Sequence, residues 1–361
     1  MIPGRPVTRP AYRAAIVGCS WIATDPATSS IDPALRDPMP PSHAAAYAAM
    51  PEIDLVAVCD LSAEALARFT AAWGGRWPRL RTYTDYRRLL AEERPDIVSV
   101  CTPDDRHAPV VVAAAEAGAR GILCEKPLAT NLADAECMIA AVAAHGVAFS
   151  VDVTRRWSPD YQQARALVRQ GRIGDLRLIV ATRGGPMAWL YRAGGHLFDL
   201  TGFFADAEPL WLTGDLDEGY ENHVAWRAGV PRDPEAEPGG DAYVRFANGV
   251  RASIHCSRRL PNGYQVELFG SRGRLRVDDR SAELWTQTVD GGPLVMEPLP
   301  HPSYQASGIL AALIELTRLI ETGEEGVSTA QDAIRALKLI LATVESNRRG
   351  GARVKIEEIN G

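Results

Sequence analysis

Five short apolar runs, residues 14–17, 55–58, 97–100, 121–124 and 147–150, recur between Arg13 and Val151 with helical stretches between them. Runs that are apolar throughout need cover on both faces, and strand-helix alternation supplies that cover in a parallel, doubly wound sheet. The helices carry their own punctuation. Ser62 precedes 63–73 and Asn131 precedes 132–144, while Gly118 and Gly146 stand where helices end on glycine.

After Val151 the pattern changes to a helix near 159–170, another after Gly195, and then a meander of strands. Asn248-Gly249 is a hairpin signal between 242–246 and 250–255, and Ser271-Arg272-Gly273 separates two further strands. Alternation puts Val244/Phe246, Ala252/Ile254 and Val266/Leu268 on one face, with Tyr243/Arg245, Arg251/Ser253/His255 and Gln265/Glu267 on the other. Helices over 304–321 and 329–348 and a short strand over 352–356 complete a mostly antiparallel second half. The expected division is 1–150 and 151–361, with the C-terminal helix able to pack back on the first part.

The chain has 361 residues, 46% apolar and 23% charged, enough for two cores. A net charge of -6 and the lack of any Lys/Arg-rich run argue against nucleic-acid and membrane partners. The start is polar, and no stretch approaches the roughly 18 apolar residues of a membrane span, so a cytoplasmic protein is expected. Six cysteines fall without a CxxC or a His/Cys spacing for zinc, so no metal is expected and the thiols read as buried and reduced.

Chemistry concentrates at the strand ends, where open α/β sheets place ligands. The first strand ends in Gly18-Cys19-Ser20-Trp21-Ile22-Ala23, a variant of the glycine fingerprint that lets backbone amides approach a pyrophosphate, with Ser20 in place of the middle glycine. A Pro/Asp/Ser-rich insertion at about 24–41 follows it. The second strand ends at Asp60, whose carboxylate suits ribose hydroxyls and repels a 2′-phosphate; NAD is favoured and NADP stays open. Asp60 as a cap for the Ser62 helix is the plain alternative. The third core strand runs into Thr102, Pro103, Asp104 and His107, a cofactor-binding turn in which Thr102 and Asp104 can contact ribose or nicotinamide, while His107 also reads as the opening of the following helix.

Only three of the 39 basic residues are lysines, and one of them, Lys126, sits in Glu125-Lys126-Pro127 at the end of the 121–124 run. An arginine stays charged in proteins, whereas a lysine amine titrates on partial burial, so Lys126 reads as a chemical group, with a surface lysine in a strand-to-loop turn as the plain alternative.

Together, Cys101-Thr102-Pro103 with His107, Glu125-Lys126-Pro127 and Gly194-Gly195-His196-Leu197-Phe198-Asp199 resemble the Gfo/Idh/MocA family of dinucleotide-dependent oxidoreductases, over nearly the whole chain. Arg156-Trp157-Ser158-Pro159 and 268–273 are family-like as well. The resemblance implies an N-terminal Rossmann domain, Glu125 and Lys126 at the cofactor, and a C-terminal α/β domain with a large, open, mostly antiparallel sheet that often supports homo-oligomers. It implies hydride transfer to or from sugars, cyclitols or polyols, with Lys126 on the reacting oxygen and His196 exchanging the proton. Arg156 joins them as a substrate-binding candidate.

One departure stands out. Four residues before His196, where the family pattern is acidic, this chain has Arg192, which predicts a substrate carrying an anionic group if it faces the pocket; an Arg192 turned outward from the 191–194 loop is the alternative. An alternative register puts Asp199 in the acidic position and Phe203 where the histidine belongs. Two other functional classes stay open: a dinucleotide-binding regulator without turnover, and a sugar lyase or glycosidase with no net redox change.

Overall fold

The computed structural model describes residues 11–25, 40–223, 236–289 and 291–359. Most of the 24–41 insertion lies outside the described residues. Two compact units share the chain. The first runs to Glu125 and adds Asp134–Asp152 and Ala306–Thr329; the second takes Lys126–Ala133, Val153–Gln305 and the chain from Ala330 onward.

In the first unit, strands β1 (Tyr12–Val17), β2 (Ile53–Cys59), β3 (Arg81–Tyr83), β4 (Ile97–Val100), β5 (Gly121–Cys124) and β6 (Ala148–Val151) form a parallel sheet in the order β3-β2-β1-β4-β5-β6. Between them run α1 (Trp21–Thr24), α2 (His43–Ala48), α3 (Ala63–Trp73), α4 (Tyr86–Glu93), α5 (His107–Glu116) and α6 (Leu132–Ala144). Ser62 and Asp85 cap α3 and α4 by accepting from Ala65 and Arg87 amides. Ala14, Ala15, Ile16, Ile97, Val98, Val100, Ile122 and Leu123 are fully buried, each large one worth about 1.5–3 kcal/mol of apolar burial. The order reverses between β1 and β4, which opens a crevice beyond their carboxyl ends.

The second unit holds α7 (Pro159–Arg169), β7 (Leu176–Gly184), α8 (Gly194–Ala205), β8 (Pro209–Leu216), β9 (Gly240–Phe246), β10 (Arg251–Ser257), β11 (Gly263–Gly270), β12 (Gly273–Asp278), β13 (Ala282–Gln287) and β14 (Leu294–Pro298). Helix α10 (Ala330–Arg348) and strand β15 (Val354–Lys355) close it. Its nine strands run β14-β13-β12-β11-β7-β10-β9-β8-β15, antiparallel throughout except for β7 beside β10. The expected alternation holds: Val244, Phe246, Ala252, Ile254, Val266 and Leu268 are buried, and α7, α8 and α10 pack on the sheet.

Helix α9 (Gly308–Thr322) belongs to the first unit, where Ile320 lies so close to β5 that a Cβ on Gly121 would meet its Cδ1 at 2.6 Å. It starts four residues later than the sequence predicts, because Ser307 is extended (φ -143, ψ 168) and serves as the N-cap. The last strand is shortened to Val354–Lys355, since Ile356 begins a 3-10 turn. Among the described residues no helix is long and apolar enough to cross a membrane.

Candidate active site

Both elements of the dinucleotide crevice rest on one glycine. Gly18 follows β1 at φ +95, and a Cβ there would lie 2.6 Å from the Cys101 carbonyl carbon and oxygen and 2.7 Å from Thr102 N. Any other residue would push the two strand ends apart. Asp60 secures the same turn: its Oδ2 accepts from Cys19 N at 2.7 Å and its Oδ1 from Ser62 N at 2.8 Å. Each carboxylate oxygen keeps a further lone pair, so the structural role leaves room for a ribose hydroxyl. Ser20 is exposed, with Oγ 3.5 Å from Cys101 O, Trp21 is 72% exposed and Ile22 is half-buried.

Across the crevice, Thr102 Oγ1 is buried without a hydrogen-bond partner among the described residues. Pro103 caps a 3-10 turn over Asp104–Arg106 in which Asp104 is buried, and His107 Nε2 lies 3.1 Å from Thr102 O, bracing the turn from below. The backbone cradle at Gly18 and the orphaned Thr102 hydroxyl fit a dinucleotide. The four strand-end cysteines are neutral thiols: burial, with Asp60 next, pushes Cys59 up to about 12, and burial raises Cys19, Cys101 and Cys124 too.

Glu125 does something the sequence did not reveal. Its Oε1 is 3.3 Å from Nε2 of His43, an imidazole with no exposure whose Nδ1 meets Ser99 Oγ at 2.9 Å; Asp152 Oδ2 lies 3.6 Å from the same Nε2. His43, Glu125 and Asp152 bring their ligand atoms within 4.8 Å of one another. At 3.3 Å His43 Nε2 is within hydrogen-bonding reach of the Glu125 carboxylate.

In the second unit Lys126 Nζ donates to the backbone carbonyl of Arg192 at 3.1 Å. That loop is pinned by Glu237, whose Oε1 accepts from Tyr191 N at 2.7 Å and Arg192 N at 3.0 Å. Arg192 thus turns its carbonyl to Lys126, while its guanidinium lies 6.0 Å from the Trp189 ring centroid. His196 rides in the first turn of α8, 6% exposed, with Nδ1 buried and lacking a hydrogen-bond partner among the described residues. Its ring meets Tyr264 edge-on at 5.8 Å. Burial first, then the charges of Arg155, Lys126 and Arg183, hold its pKa well below the ordinary histidine value. It is a neutral imidazole beside cations, fit to accept a proton.

Arg156 stands apart from this pair. It is 2% exposed, its Nε contacts both oxygens of Asp199 at 2.8 and 3.0 Å, and Nη1 reaches Asp332 at 3.0 Å. The residues of the alternative register are otherwise engaged, Asp199 with Arg156 and Phe203 as a buried ring under the Arg165 guanidinium at 4.1 Å. Arg155, Arg183 and Tyr264 escaped sequence reasoning altogether. The available signal was Arg183 falling in phase with Ile179 and Ala181 on the buried face of β7.

Comparisons with known proteins agree with this geometry. Residues 12–153 match the oxidoreductase family with an NAD-binding Rossmann fold, and residues 161–276 match the GFO/IDH/MocA C-terminal domain. Inositol 2-dehydrogenase of Rhizobium meliloti (strain 1021) is 28% identical over 326 residues, covering 84% of this chain and 92% of that protein. D-apiose dehydrogenase of Paraburkholderia graminis is 27% identical over 372 residues, covering 94% and 88%. The crystal structure of aldose-aldose oxidoreductase from Caulobacter crescentus superposes with a TM-score of 0.73 at 23% identity, covering 95% of this chain and 99% of that one, and shares the fold. A nucleotide-binding sheet of order β3-β2-β1-β4-β5-β6 and a large mixed sheet, each matched by its own family profile, make this chain a member of the GFO/IDH/MocA family of NAD-binding oxidoreductases.

Proposed function

We propose that this chain is an NAD-dependent dehydrogenase or reductase acting on a secondary alcohol, or its carbonyl, in a sugar, cyclitol or related polyol. Bound NAD would accept or return the hydride. The observation that carries the reading is His196, a buried imidazole kept neutral near a lysine that its neighbours leave pointed at a carbonyl oxygen. An alcohol that gives up hydride must also lose its proton, and neutral His196 takes it while the Lys126 cation stabilises the developing negative charge on oxygen. Gly18, Ser20, Asp60 and Thr102 would hold the dinucleotide in the first unit, with Asp60 favouring NAD over NADP. The dehydrogenases of inositol and apiose among its relatives support the substrate class.

The test is a titration with NAD and NADP, then a polyol and sugar panel followed at the nicotinamide absorbance, repeated with Lys126→Met. That variant should keep NAD binding and lose at least about a hundredfold in turnover. Turnover within a few-fold of the parent would refute the role of Lys126, and NAD binding with no turnover across the panel would favour a regulator.

Two companion readings belong here. Six free cysteines, five of them buried, suit a reducing cytoplasm. Edge strand β14 leaves Leu294, Val295 and Met296 between 44% and 54% exposed, and the outer face of the nine-stranded sheet is half-covered, so a second copy of the chain is the proposed cover. A monomer in sedimentation equilibrium at micromolar concentration would refute the homo-oligomer.

A further inference from the structure

Strand register gathers charge at one end of the nine-stranded sheet. Arg183 pairs with Cys256 of β10 on one side and with Tyr264 of β11 on the other. It is in phase with the fully buried Ile179 and Ala181, so its side chain enters the helix-covered face, where the residue is 6% exposed. Nη1 donates to Gly184 O at 2.6 Å and to Asn262 Oδ1 at 2.8 Å, both neutral acceptors. Among the described residues its Nε is buried without a partner and no carboxylate pairs with it.

Arg155 shows the contrast. It lies over the same Tyr264 ring, 3.4 Å from the centroid against 4.6 Å for Arg183, but it is balanced by Asp279 through bonds of 2.9 and 2.6 Å. His196 meets that ring from its edge, and its Nδ1 is the second buried polar atom here without a partner. One aromatic ring therefore links a balanced arginine, an unbalanced arginine and the proton-exchanging histidine. Taking a guanidinium out of water without a counter-charge is strongly unfavourable. Gly184 and Asn262 satisfy part of its fork and none of its charge.

We propose that Arg183 is the anion-recognition residue of the substrate site, and that the substrate class is a sugar-like acid, a polyol bearing one carboxylate. The proposal rests on the reading of Lys126 and His196 as the reacting pair. A single unbalanced guanidinium suits a monoanion better than a phosphate, and its planar fork matches a carboxylate. A bound carboxylate would also relieve the repulsion that imidazolium formation at His196 meets from the surrounding cations, so charge recognition and proton transfer act together.

The experiment is calorimetric titration of the NAD-loaded protein with D-gluconate against D-glucitol, D-galactonate against galactitol, and D-xylonate against xylitol. At least one acid is expected to bind about tenfold or more tightly than its alditol. Arg183→Met should bring that ratio close to one, and Arg183→Lys, which keeps the charge, should retain part of it. Circular dichroism of both variants reports that they fold. Alditols binding as tightly as acids, no acid binding at all, or a ratio that survives in Arg183→Met would overturn the proposal. Turnover of the same panel is read separately. An intact acid preference without hydride transfer would sink the dehydrogenase reading alone, and alditol turnover without acid preference would sink the anion subsite alone.

Discussion

Asp199→Ala separates two readings of the same helix. If His196 is the proton-exchanging residue, Asp199 is the partner of a buried arginine; if the register is shifted, Asp199 is the acidic residue of the site. Arg156 and Asp199 side chains are 3% and 1% exposed, and Nε bridges both carboxylate oxygens. Removing one partner of a buried pair costs about 3–5 kcal/mol, because the other is left charged and desolvated. Asp332, 3.0 Å from Arg156 Nη1 and 19% exposed, remains to compensate. The low end therefore applies, about 3 kcal/mol, or roughly a hundredfold in the folding equilibrium. Urea denaturation of the cofactor-free protein, followed by tryptophan fluorescence, measures it. Replacing both partners, as Arg156→Met with Asp199→Leu, should recover part of the loss, since an apolar pair needs no solvation. An Asp199→Ala protein with unchanged stability and lost turnover would refute the His196 register.

Two further outcomes follow from the geometry. Gly18→Ala should weaken NAD by about tenfold or more while the chain still folds, because φ +95 is strained for alanine and its Cβ would press on the Cys101 backbone, which cannot swing aside as a side chain would; an unchanged NAD dissociation constant would show that the crevice tolerates the spread. If His196 takes the proton in alcohol oxidation it must be neutral, and its pKa is lowered from 6.5 by burial and by Arg155, Lys126 and Arg183, so kcat/KM should be flat through neutrality and fall only on the acid side of that value. An ascending limb centred at or above 6.5 would place another group in the role.

Five of the six strands of the first sheet were legible because each announces itself locally: mostly apolar runs, a serine cap before α3, glycines after the helices. What was not legible is non-local or unmarked. Strand β3 is three residues long with two of them exposed, so it carries no apolar run, and it is found only by its pairing with β2. His43, Ser99, Glu125 and Asp152 lie on four separate elements or their ends, and nothing in the spacing of 43, 99, 125 and 152 foretells one cluster. Lys126 and His196 could be named because short motifs mark them. Arg183 and Tyr264 could not, since they become neighbours only through the register of β7 with β11.

The departure at Arg192 shows the same limit in its sharpest form. Counting side chains along the sequence, an arginine in the acidic position reverses the charge beside Lys126. Folding changes what is counted. The Arg192 guanidinium sits by Trp189, its carbonyl accepts the Lys126 proton, and the amides of residues 191 and 192 are held by Glu237, which has no exposure and lies 45 residues further on. A carboxylate is therefore present at this loop, delivered by a distant segment and bound to the backbone. A backbone carbonyl is supplied by any residue type, so the orientation of Lys126 depends on the path of the loop more than on the identity of residue 192. In the proposed reading, charge selection is then left to groups whose side chains do enter the buried face, and Arg183 of that face has no counter-ion among the described residues.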